Sequence, residues 1–316
     1  MLSRRYIRIK VMQALYSYFL SNENNIAHQE KELFSSMDKI YDLYLFLLLL
    51  LIEIRAKARE LIAIRKTKKL PTQEDITPNT KFIDNRIFGI ISINKQLASE
   101  TFIRKISWDK DRDIVQKIFS DISKSKEYAQ YINSSERSFL EDKNFILDIW
   151  IQCIAENEHI HFFLEEKNIH WAGDIDFVNS IVVKTIDAII ENATDDHMIF
   201  NLFKDEEKDK LFAQELFRKV IAFSNEMDKI IQSKTQNWDI ERIALMDILL
   251  MKMAIIEFLH FPTIPVKVTL NEYIELSKQY STPKSSIFIN GILDKLVLMF
   301  KDSGEFKKQG RGLIEN

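Results

Sequence analysis

The chain has 316 residues, 46% of them hydrophobic, and its 44 basic and 47 acidic side chains leave a formal charge of −3. It holds 6 glycines and 5 prolines, where average usage gives about 22 and 16; β-sandwiches and doubly wound sheets with nucleotide loops need more, because tight turns require positive or fixed φ. An all-α fold is expected, large enough to bury a core without disulfide or metal staples, and the near-neutral bulk charge leaves any nucleic-acid function to local patches.

Residues 3–20 read as a first helix. Ile7, Val11, Ala14, Leu15 and Tyr18 share one face, Ser3 is placed to cap it, and Arg4, Arg5 and Arg8 lie on and beside a shoulder of the apolar stripe. After a polar break at 22–25, a second helix is expected over 27–66. Its apolar run 43–52 covers only about 15 Å, half of a bilayer's hydrocarbon core, so it is read as buried in protein and no membrane association is expected. Residues 66–79, with Pro71 and Pro78, read as a linker, and helical patterning returns at 81–106, 109–133, 136–156 and 174–192.

Residues 206–232 form an amphipathic pattern, broken at Asn237-Trp238-Asp239. Residues 240–258 are apolar on nearly every side, which belongs in a core, and His260-Phe261-Pro262 ends that helix. The next is expected to end near Tyr280, with Thr269-Leu270-Asn271-Glu272 in capping-box form. Thr282 and Pro283 suit the cap and first position of a last helix reaching about Phe300. Gly291 inside it costs about 1 kcal/mol against alanine, which close helix packing would offset. The charged residues 301–316, with Gly304, Gly310 and Gly312, read as a disordered tail.

Enzyme signatures are missing. There is no G-x-G-x-x-G, Walker A or G-x-S-x-G, so neither catalysis nor a cofactor is expected. Among Glu156, Glu158, His159, His161 and His170, the two nearest histidines would point about 200° apart on a helix, and no metal is expected. Cys153 is the one cysteine, which excludes an intramolecular disulfide; with no apolar signal region after Met1, a cytoplasmic location is expected.

Three arginines at a helix start oppose the macrodipole, and no acid precedes Glu23. A phosphate backbone would account for them, since guanidinium forks pair with phosphate oxygens; a solvated cap region is the alternative. A second basic run, Arg55, Lys57, Arg59, Arg65, Lys66, Lys68 and Lys69, reads either as a solvated face or as a second RNA surface.

Two separated stretches carry a family resemblance. One runs Pro265-x-Lys267-Val268, Asn271-Glu272-x-Ile274-Glu275-Leu276-x-Lys278, then a Ser/Thr-rich turn, then Phe288-Ile289-Asn290-Gly291-Ile292-Leu293-Asp294-Lys295. The other is Arg4-Arg5-x-x-Arg8 followed by Val11-x-Gln13-Ala14-Leu15-Tyr16. Together they resemble the NusB transcription antitermination factors, whose order of helices also has one at 210–232. The resemblance implies an all-α NusB-like bundle formed by an amino-terminal basic helix (1–25) and a carboxy-terminal part (206–300), with a helical insertion domain at 26–205. It implies a non-enzymatic, RNA-binding factor that engages boxA-like rRNA leader RNA together with NusE, a small-subunit ribosomal protein, in the antitermination complex of RNA polymerase. By the same resemblance Arg4, Arg5, Arg8, Lys284, Ser285, Ser286 and Phe288 face RNA. Two positions depart from the family: Tyr6 stands where another basic residue is common, and Lys284 where an acid is common. Phe288 could stack a base or pack in the core with Ile292 and Leu296. A helical adaptor that keeps the NusB core without binding RNA is the alternative function.

Overall fold

The computed structural model describes residues 1–21, 25–70, 72–197, 199–235 and 243–313. The expected breaks at 22–25 and 237–239 and the start of the core helix at 240 therefore fall wholly or partly outside the described residues. Among these there is no strand, and no helix is long and apolar enough to cross a membrane. The described residues form fifteen α-helices: α1 (Arg4–Leu20), α2 (Ile26–Lys66), α3 (Gln73–Ile76), α4 (Arg86–Ser92), α5 (Lys95–Arg104), α6 (Arg112–Lys124), α7 (Lys126–Asn133), α8 (Phe139–Ile149), α9 (Glu158–Lys167), α10 (Ile175–Ala188), α11 (Glu206–Ala222), α12 (Ser224–Lys234), α13 (Leu245–His260), α14 (Val266–Tyr280) and α15 (Ser285–Asp302). They fall into two compact units. One comprises Asp38–Leu202 with Met1, the other Leu2–Met37 and Phe203–Asn316.

In the Asp38–Leu202 unit the leucine-rich stretch of α2 is buried, and Trp108 and Tyr131 find partners for their polar tips within it. Trp108 stacks on Phe46 at 3.9 Å and donates its indole N–H to the Phe46 carbonyl. The Tyr131 ring stacks on Phe145 and its hydroxyl donates to Asp142 at 2.6 Å. The long helical patterns at 81–106 and 109–133 are each divided in two. Asn85 accepts from the Ile87 amide, Asn94 from Leu97 and Ser125 from Tyr128, so short polar side chains start new helices where apolar periodicity continues.

The second unit is built around α13, which packs against α1, α11, α12, α14 and α15. A helix surrounded on all sides has apolar residues on all sides, and Leu249, Leu250, Met251, Met253, Ala254, Ile255, Ile256 and Phe258 are all buried. Its three charged residues, Asp247, Lys252 and Glu257, each meet a different neighbour. Asp247 accepts from the Ser281 and Ser285 hydroxyls in the turn before α15. Lys252 donates to Ser224 and Asp228 of α12. Glu257, with no solvent exposure, receives both arms of Arg8 from α1 at 2.8 and 2.6 Å, the Thr269 hydroxyl at 2.7 Å and the Tyr273 hydroxyl at 3.2 Å. Those four donors match the roughly four acceptor sites of a carboxylate. Burial alone would lower the pKa of Arg8; Glu257 beside it outweighs that and raises it. Burial, and then the charge of Glu257, hold the Tyr273 hydroxyl well above its ordinary value.

Three sequence expectations are corrected here. Thr269 is not a cap: it lies inside α14, where its hydroxyl serves Glu257. The last helix starts at Ser285, and the Thr282 hydroxyl bonds the Ser285 side chain rather than a backbone amide. Within the stretch expected to form a disordered tail, residues 303–313 pack back on the bundle. Gly304 takes φ +70 and lets Glu305 N–H reach the Phe300 carbonyl, which turns the chain back at the end of α15. Phe306 then packs edge-on to Phe258 and Phe300. Lys308 donates to the carbonyls of Glu257 and Phe261 at the end of α13, where burial pushes its pKa down to about 8. Gln309 N–H bonds the Pro262 carbonyl at 2.9 Å, and at Gly312 a Cβ would stand 1.9 Å from that same oxygen.

Close packing does not account for Gly291, because an added Cβ would meet nothing within 4 Å. Gly291→Ala is therefore expected to stabilise the fold by about 1 kcal/mol, read as a higher urea midpoint at unchanged slope. Arg8→Met should cost about 3–5 kcal/mol by stranding a buried carboxylate. Arg8→Met combined with Glu257→Leu should cost less than the sum of the two single changes in the same unfolding assay, and simple additivity would contradict the pairing.

Candidate nucleic-acid interface

The tip of α1 is presented by a cap and an anchor. Ser3 accepts the Tyr6 amide at 3.3 Å and starts the helix, while Arg8 one turn later holds the helix to the core. Arg4 and Arg5 lie one turn before Arg8 on the same side, as i−4 and i−3 neighbours do, and reach the surface. Arg4 bonds Asp209 at 3.0 Å and the Lys208 carbonyl, with its guanidinium 4.3 Å above the Phe212 ring. Burial lowers its pKa against the pull of Asp209, but a guanidinium stays protonated. Arg5 forms a two-armed pair with Glu272 at 3.0 and 2.8 Å, and those bonds raise its pKa.

Exposure separates the three arginines. The side chains of Arg4 and Arg5 are 41% and 51% exposed, and that of Arg8 is 3% exposed. The expectation that Arg8 faces RNA is corrected: its guanidinium is spent inside the bundle on Glu257 and, at 3.5 Å, Glu272. Arg4 and Arg5 border a cleft of about 830 Å³, lined also by Lys208, Leu211, Phe212, Phe261, Pro265, Val268 and Arg311. A smaller hollow of about 250 Å³ continues from Arg5 along Glu275, Leu276, Lys278 and Gln279.

The start of α15 divides similarly. Lys284 is exposed, Ser286 and Phe288 are half-buried, and Ser285 is buried with its hydroxyl on Asp247 at 2.8 Å. Ser285 is thus a staple of the turn, and its expected RNA contact is corrected on that ground. Asp247 and Glu257 are where sequence reasoning missed the decisive groups. Both are lone acids in an otherwise apolar run, and such an acid requires a buried partner.

The other candidate sites do not converge. His161 Nε2 lies 2.6 Å from the Ala155 carbonyl, and among the described residues no three His, Cys, Asp or Glu side chains gather as a metal site. In the second basic run Arg55 donates to the Ile83 carbonyl, while Lys57 and Lys68 pair with Glu60 and Asp75.

A model of the NusB family matches residues 174–297, a segment that begins at α10 and leaves out α1. Three curated relatives bear the name transcription antitermination protein NusB. The one from Salinibacter ruber is 46% identical over 103 residues, which is 33% of this chain and 64% of that protein. The one from Chloroherpeton thalassium is 42% identical over 108 residues, 34% of this chain and 51% of that protein. The one from Geotalea uraniireducens is 40% identical over 91 residues, 29% of this chain and 63% of that protein. The chain thus spans between about half and just under two thirds of these relatives' lengths. No solved structure matches significantly. Residues 174–297 thus match the NusB family model and resemble these NusB proteins, and further helices of this chain lie amino-terminal to that segment.

Proposed function

We propose that the protein is an RNA-binding transcription antitermination factor that grips boxA-like rRNA leader RNA together with NusE, within the antitermination complex of RNA polymerase. The observation that carries this reading is the likeness of residues 174–297 to antitermination proteins, and the geometry of the α1 tip supports it. Arg5 spends two N–H groups on Glu272, and a guanidinium has five, so a phosphate can be taken without losing the acid that aims the fork. Asp209 serves Arg4 in the same way. Lys284, Ser286 and Phe288 extend the face. Glu272, the partner of Arg5, lies about 12 Å of helix before Tyr280 at the end of α14. Arg8 and Ser285 act as supports that hold the two basic edges in register.

One observation favours a second reading, a helical adaptor without RNA binding: each guanidinium at the α1 tip already faces a carboxylate. An electrophoretic shift with boxA-like leader RNA, with and without NusE, separates the two. The RNA-binding reading expects a shift that NusE strengthens. Arg4→Ala with Arg5→Ala should weaken binding about tenfold and flatten the salt slope by roughly 1.4, about 0.7 for each single-strand phosphate no longer neutralised. Co-purification with NusE and no RNA shift at low salt would give the adaptor the field.

A further inference from the structure

Among the described residues, the cleft beside Arg4 and Arg5 has one cation whose charge is not already matched. Arg4 pairs with Asp209, Arg5 with Glu272, Arg8 with Glu257, and Lys208 with Asp205. Arg311, which lines the same cleft, is exposed and has no ion-pair or hydrogen-bond partner among the described residues. It lies beyond the segment matched by the family model and comes from the carboxy-terminal tail. Its position there is built. Gly304 reverses the chain, Phe306 and Lys308 fasten it to the end of α13, and Gln309 and Gly312 seat the final turn on the Pro262 carbonyl.

The other charged lining residues, Arg4, Arg5, Arg8, Lys208, Glu215 and Glu272, each stand in an ion pair, so Arg311 adds one unmatched positive charge over a partly apolar cleft. That combination suits the phosphate backbone of a single-stranded RNA, with ribose and base faces against the apolar lining. We propose that the tail, residues 303–313, belongs to the RNA-gripping face and that Arg311 contacts a phosphate of single-stranded RNA. This rests on the RNA-binding reading above and adds a contact that the motif at the α1 tip does not contain.

The test uses the full chain and a labelled boxA-like leader oligonucleotide, titrated in filter binding from low to moderate salt. Arg311→Ala is expected to weaken binding three- to tenfold and to lower the salt slope by about 0.7, with unchanged thermal unfolding because the side chain is exposed. Arg311→Lys should keep the slope while losing part of the affinity, since it retains charge without the fork. Gly312→Ala, which cannot seat the turn, should match Arg311→Ala, and the double variant should lose nothing more. Trypsin cleavage after Arg311, read by mass, should slow when RNA is bound. If the unaltered chain binds RNA and Arg311→Ala binds with the same affinity and slope, the proposal is overturned while the RNA-binding reading stands. If Gly312→Ala binds normally, presentation by the docked tail is wrong. If the unaltered chain gives no binding even at low salt, the reading of function fails first and takes this one with it.

Discussion

A carboxylate with no contact with water has to be neutralised from inside the fold, and Glu257 is neutralised by Arg8, 249 residues away in the chain. The α1 side of the candidate interface is referred to that pair. Because α1 is held at Arg8, its preceding turn must emerge beside α11 and α14, and Arg4 and Arg5 meet Asp209 and Glu272 there. The spacing Arg-Arg-x-x-Arg therefore encodes an anchor and two projecting cations. Thr269 and Tyr273 complete the carboxylate's shell, which ties α14 to the same point. The two projecting cations are thus aimed by the anchored helix and by their acids.

The acids beside the projecting arginines do not by themselves oppose phosphate binding. Arg4 and Arg5 keep their guanidinium ends in solvent while Asp209 and Glu272 lie deeper, so these acids orient their partners and leave further N–H groups open to a ligand. The Arg8 pair is of another kind: breaking a buried pair costs about 3–5 kcal/mol, more than a single phosphate contact returns. The dividing line between projecting and anchoring arginines is thus drawn by water rather than by sequence position. Lys208 stays close to the exposed group in this respect, being paired with Asp205 at the surface.

Much of the architecture is legible in the sequence, and the illegible parts share a cause. The all-round apolar pattern of α13, the Ser3 cap and the long α2 follow from periodicity and local chemistry, which a single chain displays. The divisions at Asn85, Asn94 and Ser125 do not, since an apolar face that stays in phase hides a break made by one side-chain hydrogen bond. Thr269 looks like a helix-start residue because its hydroxyl suits a cap, and Ser285 is expected at RNA only through the family resemblance, yet each is claimed by an acid of α13. Arg8 is ambiguous for the same reason: its partner is invisible until α1 and α13 are brought together. The tail's glycines suggest disorder, although Gly304 supplies a left-handed turn and Gly312 a close approach to Pro262. In each case a tertiary partner decides between two local readings that the sequence leaves open.

The two compact units differ in how the chain can assemble them. Asp38–Leu202 is continuous, so all of its partners are present once that stretch has been made. The other unit joins Leu2–Met37 to Phe203–Asn316 and is discontinuous. Its central helix α13 arrives late in synthesis, and until Glu257 exists Arg8 has no buried acid to enter with. Long-range closure of this kind costs chain entropy before its contacts form. The continuous unit lessens that cost, because once folded it is a compact body rather than a flexible loop between the two segments of the discontinuous one. On this argument the long stretch between α1 and its partners is tolerable because it forms a compact unit of its own.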